Sequence, residues 1–146
     1  GSKFAQHELQ GVPLRIAIGP KDLENNTIEL ARRDTLTKII VPIEGLGSRI
    51  KNLLSQIQDE LFAKALNFRD SHITEVDNFE DFKNVLETKT GFVSAHWDGT
   101  AETEQKIKEL TKATIRCIPA GNKLEDGKCI YSGQPSRERV LFAKAY

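Results

Sequence analysis

The chain has no methionine, two cysteines and no net charge, and these features exclude several classes of protein. The 146 residues include no methionine and two cysteines, and 21 basic residues balance 21 acidic ones. Two cysteines cannot by themselves form a disulfide framework or a four-cysteine zinc site. Nonspecific nucleic-acid binders are usually basic, so the balanced charge argues against broad phosphate-driven binding. A small, specific RNA site remains compatible with it.

Long apolar runs and targeting signals are missing as well. No run approaches the roughly 20 apolar residues that a membrane helix needs, and no secretory signal pattern opens the chain. A complete translation product begins with methionine, whereas this chain begins with Gly1-Ser2, which resembles the scar of a cleaved tag. We therefore expect a piece of a larger cytosolic protein with no membrane association.

Hydrophobic periodicity predicts strands and then a long helix in the N-terminal half. Residues 12–18 alternate between apolar and other side chains, which indicates a strand with one buried face. Further strands are predicted at 27–33 and 38–42, joined by a short hairpin loop. Apolar residues then recur every three or four positions over 46–69, which predicts an amphipathic helix with Ser48 as its N-cap.

The C-terminal half predicts a small mixed unit after a polar link at 70–77. A helix is expected to begin at Asp77, where Asp77 and Glu80 can form a capping box. We expect Cys117 to be a buried strand residue. For His96 and Trp97 we favour a place in the core, and a surface pair is the alternative. Further elements are predicted as strands at 91–97, 113–119 and 138–145, a helix at 101–110 and a loop at 121–137. The fold class is therefore α/β (or α+β).

Arg15 is the first candidate binding residue. The strand periodicity directs it away from the apolar face, between Pro13 and Ala17, from which its guanidinium can reach outward. The guanidinium fork matches the two acceptors on one edge of guanine. RNA that is read by sequence is usually single-stranded, with its bases splayed out. The alternative is a solvated arginine on an outer sheet face.

Both ends of the chain carry a resemblance to a known family. The segments Glu8-Leu9-Gln10-Gly11-Val12-Pro13-Leu14-Arg15 and Gly19-Pro20-Lys21-Asp22 resemble the signature of the anticodon-binding domain of prolyl-tRNA synthetases. The last residues, Phe142-Ala143-Lys144-Ala145-Tyr146, resemble the C-terminus of that family. The archaeal and eukaryotic-like type is implied, because it carries an extra domain after the anticodon-binding domain.

The resemblance also implies a domain division. Residues 3–70 would be the C-terminal portion of a class II anticodon-binding domain, with a mixed sheet, a long helix and its N-terminal strands missing. Residues 71–146 would be the family's small mixed α/β C-terminal domain. Missing inner strands predict either pairing with a second copy or an exposed apolar surface. Family structures direct the Tyr146 carboxylate toward the catalytic domain, and a solvated tail is the alternative.

The same resemblance assigns anticodon-reading roles. They fall on Glu8, Arg15, Lys21, Asp22 and Lys38, most firmly on Glu8 and Arg15. Carboxylates suit the N1 and N2 donor edge of guanine, the cations suit its O6 or a phosphate, and proline anticodons carry two adjacent guanines. Gln10 replaces a frequent lysine. Arg32 and Arg33 either contact the RNA backbone or are solvated.

A zinc site of the family is expected to be lost here. Its ligand positions fall on Asp98, Thr103, Cys129 and Ser132, so three of the four cysteine thiolates are replaced. Structural zinc prefers four strong nitrogen or sulfur ligands, and we therefore predict that no metal is bound. The replaced positions, Asp98, Thr103 and Ser132, are expected to hydrogen-bond one another.

The implied function is the tRNA-reading and stabilising end of a proline–tRNA ligase, a class II aminoacyl-tRNA synthetase that uses ATP and magnesium. The full enzyme would act on tRNA(Pro) as a cytoplasmic homodimer. The residues of this chain include no catalytic motif, and no Ser-His-Asp arrangement can be argued from its histidines, so it should be inactive and free of cofactor by itself. The alternatives are a stand-alone RNA-binding module with an anticodon-binding-like fold and an interaction domain without an RNA role.

Overall fold

A computed structural model describes residues 2–144 and confirms the mixed α/β class. The chain divides into two compact units, Gly1–Leu66 and Asn67–Tyr146, which we call the first and second unit. The predicted domain bounds, 3–70 and 71–146, stay a prediction. The expected placement of the Tyr146 carboxylate lies outside the described residues.

The first unit has helices on either side of three strands. Its elements are α1 (Ser2–Leu9), β1 (Leu14–Ala17), α2 (Pro20–Glu24), β2 (Thr27–Arg32), β3 (Lys38–Pro42) and α3, which begins here (Leu46–Ser71). The Gly19-Pro20-Lys21-Asp22 segment of the signature contains the start of α2. Proline suits the first position of a helix, and Asp22 Oδ2 accepts a hydrogen bond from the Gly19 N–H at 2.8 Å, so the segment coils into a short helix.

The sheet of the first unit runs in the order β1-β2-β3, and both described pairings are antiparallel. One face carries Ile28, Leu30 and Val41, and Leu46 and Leu53 of α3 pack on this cluster. Burying such side chains stabilises a fold by roughly 1.5–3 kcal/mol each. The opposite face of the sheet is the one that carries Arg15.

The predicted buried face of the first strand is only partly buried. Leu14 packs against the core cluster, whereas Ile16 is 43% exposed and Ile18 is 54% exposed. The reason is that β1 is an edge strand and α3 packs over β2 and β3. The structure therefore shows an exposed apolar surface at this edge.

Two predicted helix caps are wrong. The α3 helix begins at Leu46, so Ser48 lies in its first turn and is not the N-cap. The next helix, α4 (Phe79–Thr88), is capped by Asn78, whose side chain accepts from the Asp81 N–H at 2.8 Å. The carboxylate of Asp77 instead accepts from Arg139 Nη2 at 2.5 Å. Among residues 2–144, no helix is both long and apolar enough to span a bilayer.

The second unit is built on a four-stranded mixed sheet. Its strands and its second helix are β4 (Ile73–Glu75), β5 (Phe92–His96), α5 (Ala101–Thr111), β6 (Ala113–Cys117), β7 (Gly127–Lys128), β8 (Pro135–Ser136) and β9 (Arg139–Lys144). The strand order of the sheet is β4-β5-β9-β6, in which β4 runs parallel to β5 and the other pairs are antiparallel. Two predictions are corrected, because the polar link at 70–77 contains β4 and the loop at 121–137 contains β7 and β8.

The core of the second unit lies between this sheet and the helices α4 and α5. Phe82 and Phe142 are fully buried and meet edge to face, with ring centroids 5.1 Å apart. Ile107 of α5 is fully buried in the same cluster. His96 is buried as expected, but Cys117 is exposed, because the register of β6 shifts between Ile115 and Cys117.

Candidate nucleic-acid interface

A row of three residues crosses the sheet of the first unit on the face opposite its core. Arg15 of β1 lies opposite Ala31 of β2, and Ala31 lies opposite Lys38 of β3. Directly paired residues of antiparallel strands share a face, and neighbouring strands are about 4.8 Å apart, so the main chains at Arg15 and Lys38 are about 10 Å apart. Ala31 is small, so the sheet surface between Arg15 and Lys38 carries no large side chain.

The guanidinium of Arg15 is held before any ligand arrives. Its Cζ lies 3.9 Å from the centroid of the Phe4 ring, and its Nη1 donates to Glu8 Oε1 at 3.2 Å. The Arg15 side chain is only 21% exposed. Its Nε is buried and has no hydrogen-bond partner among the described residues. Stacking on an aromatic face and pairing with a carboxylate both restrict a guanidinium to one orientation.

Glu8 is held through its main chain as well. The Glu8 carbonyl accepts from the Gly11 N–H at 3.1 Å and from Arg33 Nε at 3.1 Å. Gly11 adopts a φ of +78°, which a glycine tolerates and which ends the helix. A cationic side chain at a helix C-terminus also complements the helix dipole. The position of the Glu8 carboxylate is thereby set from two sides.

An open cavity of about 460 Å³ lies beside this assembly. Three of the predicted binding residues, Glu8, Arg15 and Lys38, line it together. It therefore offers a carboxylate acceptor, a guanidinium donor, an ammonium group and the exposed edge of Phe4. Its remaining lining residues are His7, Val12, Leu14, Ala31, Arg32, Arg33, Leu36 and Thr37.

Lys21 and Asp22 lie apart from this cavity, on α2 beyond the other end of β1. Lys21 is exposed, and one oxygen of Asp22 is occupied by the Gly19 N–H. Lys38 also has a partner, since its Nζ lies 3.3 Å from Glu29 Oε1. The structure thus places three of the five predicted residues, Glu8, Arg15 and Lys38, around one cavity. The other two, Lys21 and Asp22, lie away from it.

The two neighbouring arginines differ in their partners. Arg32 donates to both oxygens of Asp34, at 3.1 and 2.6 Å, and to Glu60 at 2.6 Å. The hydrogen bond from Arg32 holds the pKa of Asp34 below its usual value. Arg32 therefore ties β2 to α3, whereas Arg33 is exposed and reaches α1.

The predicted former zinc positions contain a hydrogen-bonded cluster around Asp98. Asp98 Oδ2 accepts from Thr103 Oγ1 at 2.7 Å and from Ser132 Oγ at 2.5 Å. Its Oδ1 accepts from the Thr100 N–H at 3.0 Å and from Thr100 Oγ1 at 2.9 Å. Burial opposes the charge of Asp98, but the hydrogen bonds from Ser132, Thr103 and Thr100 outweigh it and lower the pKa of Asp98 to about 2. The expected hydrogen bonds between these side chains are present.

Cys129 is the fourth of these positions and is buried. Its N–H donates to the Gln134 carbonyl at 2.8 Å, within the hairpin of β7 and β8. Across residues 2–144, no group of three or more histidine, cysteine, aspartate or glutamate side chains is arranged to hold a metal ion. The absence of zinc stays a prediction.

One polar network escaped the sequence analysis. His96 Nδ1 lies 3.1 Å from Ser136 Oγ, and His96 Nε2 lies 3.2 Å from Glu125 Oε1. Glu125 also binds Arg139, whose hydrogen bond lowers the pKa of Glu125. Ser136 is buried and donates to the Glu138 carbonyl at 3.0 Å, so it presents no nucleophile to solvent. The network fastens the loop after β6 onto the sheet.

Phe4 also escaped the sequence analysis, although a signal for it exists. Phe4 and Glu8 are four residues apart in α1, and side chains at that spacing share a helix face. The hydrogen bond from Arg33 to the Glu8 carbonyl has no comparable signal in the sequence, because the two residues are 25 positions apart.

Comparison with known proteins agrees with both units. Residues 1–53 match the family model of the anticodon binding domain, and residues 79–146 match the family model described as prolyl-tRNA synthetase, C-terminal. The proline–tRNA ligase of Flavobacterium psychrophilum is 67% identical over all 146 residues, and that of Christiangramia forsetii is 65% identical. The corresponding ligase of Porphyromonas gingivalis is 56% identical.

The chain spans about 30% of the length of these relatives. The anticodon-binding model covers the helix and the strands that line the cavity as well as the start of α3, and the second model covers the Asp98 cluster. The chain therefore contains segments that match the anticodon binding domain and the prolyl-tRNA synthetase C-terminal domain, and over its whole length it is similar to part of these proline–tRNA ligases.

Proposed function

We propose that this chain is the tRNA-reading and stabilising part of a proline–tRNA ligase. The full enzyme would be a cytoplasmic, homodimeric class II aminoacyl-tRNA synthetase that joins proline to tRNA(Pro) with ATP and magnesium. The names of the relatives and the anticodon-binding family match support this proposal. The aminoacylation chemistry would reside in a catalytic domain, and this chain alone would be inactive and hold no cofactor.

The observation that carries the proposal is the preorganised Glu8–Arg15 pair beside the open cavity. Guanine presents N7 and O6 as acceptors on one edge, which suit the donors of Arg15 and Lys38. Its N1 and N2 donors suit a carboxylate such as Glu8. Single-stranded loops expose both edges, because their bases are splayed out. The cavity therefore matches an unpaired guanine better than a phosphate alone.

Lys21 and Asp22 form a second donor and acceptor pair on α2. We propose that they read the other guanine of a proline anticodon, which carries two adjacent guanines. Their separation from the Glu8–Arg15 pair supports two reading positions rather than one. The Asp22 oxygen that does not bind Gly19 would serve as the acceptor.

An RNA hairpin titration tests the proposal. A fluorescently labelled hairpin carrying two adjacent guanines in its loop would bind the chain more tightly than hairpins with either guanine changed to adenine. Arg15→Ala should weaken the guanine hairpin by roughly 1–3 kcal/mol, the usual size of a bidentate base contact. Arg49→Ala removes an equal charge from an exposed position of the same unit and serves as the matched control.

Equal affinity for all hairpins would contradict anticodon reading and would favour a stand-alone RNA-binding module. No binding at all would favour an interaction domain.

We also propose that Asp98, Thr103, Cys129 and Ser132 hold no zinc. The saturated hydrogen bonding of Asp98 supports this, since both of its oxygens already accept from hydroxyl or amide groups. Metal analysis of the purified chain should find no stoichiometric zinc, and one equivalent that resists dialysis would contradict the proposal.

A further inference from the structure

The helix that carries Glu8 is held to the sheet by very few groups. All described side chains of α1 are exposed, so no buried apolar residue fixes its position. Among residues 2–144, two side-chain hydrogen bonds join α1 to the strands and their connections, and both end on Glu8. Arg15 binds the Glu8 carboxylate, and Arg33 binds the Glu8 carbonyl.

Arg33 is itself fixed at its main chain. Its N–H donates to the Pro13 carbonyl at 3.0 Å, at the point where the chain leaves α1 and enters β1. From there its Nε reaches the Glu8 carbonyl at 3.1 Å. A single residue therefore links the end of β2 to both the entry of β1 and the end of α1.

We propose that Arg33 is a positioning residue of the guanine-reading pair. By holding the main chain of Glu8, it keeps the carboxylate within reach of Arg15 and keeps Phe4, four residues earlier in the same helix, stacked on the guanidinium. Arg33 need not touch the base that the pair reads. This inference rests on the proposed function and adds to it a residue that acts through Glu8.

The alternative role for Arg33 is a direct phosphate contact, and salt dependence separates the two. Loss of a phosphate contact weakens all RNA sequences alike and reduces the slope of log K against log salt by about one. Loss of a positioning contact weakens the guanine hairpin selectively and leaves the slope unchanged. Small displacements of a binding group are costly, because hydrogen bonds weaken steeply with misalignment.

The experiment compares Arg33→Ala, Arg33→Lys and the control Arg49→Ala in the full chain. The probes are the labelled hairpin with two adjacent loop guanines and the matched hairpin with one guanine replaced by adenine, each at several salt concentrations. Arg33→Ala should lower the affinity ratio between the two hairpins by about fivefold or more, the lower end of a bidentate base contact. Arg33→Lys should lose most of the same ratio, because an ammonium lacks the Nε–H donor.

A second readout needs no RNA. In the free chain, the Nε–H resonance of Arg15 and its contacts to the Phe4 ring should shift or vanish in Arg33→Ala and persist in Arg49→Ala. An unchanged affinity ratio together with an unchanged Arg15 resonance would overturn the positioning role while leaving the proposed function intact. A uniform loss with a smaller salt slope would assign Arg33 to phosphate binding instead. If the unmodified chain does not discriminate the hairpins, the proposed function fails, and the reading role of Arg33 fails with it.

Discussion

Replacing Asp98 with asparagine should destabilise the second unit by an amount that the structure specifies. The carboxylate accepts four hydrogen bonds, two on each oxygen, whereas an amide offers one acceptor oxygen and leaves two of these donors without a partner. The pKa of Asp98 falls from 3.8 to about 2 in the folded chain. Because one pKa unit corresponds to about 1.4 kcal/mol, the ionised group contributes about 2 kcal/mol at neutral pH.

The sign of the pH dependence follows from the direction of this change. A group whose pKa is lowered by folding stabilises the fold above its unfolded pKa, here 3.8, and loses that contribution as the pH falls through its folded pKa of about 2. The free energy of unfolding of the unmodified chain should therefore exceed that of Asp98→Asn by about 2 kcal/mol at pH 7. The difference should shrink as the pH falls from about 4 to about 2.

Urea unfolding followed by tryptophan fluorescence measures this difference. Trp97 is the single tryptophan of the chain and donates from Nε1 to the Thr100 carbonyl at 3.1 Å, so it reports on this cluster. Asp126→Asn removes a charge from an exposed position of the same unit and is the matched control. A difference of zero at pH 7, or one that does not change with pH, would refute the role of the ionised carboxylate. Stabilisation of the unmodified chain by added zinc, absent in Asp98→Asn, would instead make Asp98 a metal ligand.

Three further substitutions test the packing. Phe82→Ala should lower the free energy of unfolding of the second unit by about 3–5 kcal/mol, because Phe82 is fully buried against Phe142. An unchanged urea midpoint would contradict the described core. Gly127→Ala should lower the free energy of unfolding of the second unit by about 1–3 kcal/mol, because a Cβ would lie 2.2 Å from His96 Nε2. An alanine that leaves stability unchanged would show that Gly127 does not lie against the His96 ring. Gly47→Ala lies in the first turn of α3 with open space around it and should stabilise the first unit by up to about 1 kcal/mol. Urea unfolding followed by circular dichroism measures this, since the first unit has no tryptophan, and any loss of stability would count against the helix start at Leu46.

The elements with strong local periodicity were predictable. The long helix from Leu46, the strands β2 and β3 and the helix α5 all lie within a few residues of their predicted positions, because their apolar spacing reports which side of each element is buried. The three-residue strand β4 was missed because it is too short to show a period, and it forms by parallel pairing with β5. The cap of α4 was misplaced because Asn78, the neighbour of Asp77, accepts from the Asp81 N–H.

The candidate site, too, could be predicted only in part from the sequence. Glu8 and Arg15 were predicted from a motif of eight consecutive residues, and the structure places them together because the turn at Gly11 folds α1 back toward β1. Lys21 and Asp22 belong to the same stretch of sequence, yet they lie beyond the other end of β1. Proximity along the chain therefore predicted which residues to consider but not which of them share a cavity.

The mixed α/β class, the family signature and the chemical types at the proposed reading positions could be predicted from the sequence, since they depend on local periodicity and short motifs. The tertiary structure alone decided that Arg33 holds Glu8 across 25 residues and that His96 meets Ser136 across 40. It also decided that Ala31 separates Arg15 from Lys38 on one face of the sheet. Such contacts depend on strand register and on chain reversal, which bring distant residues together and leave no periodic trace in the sequence.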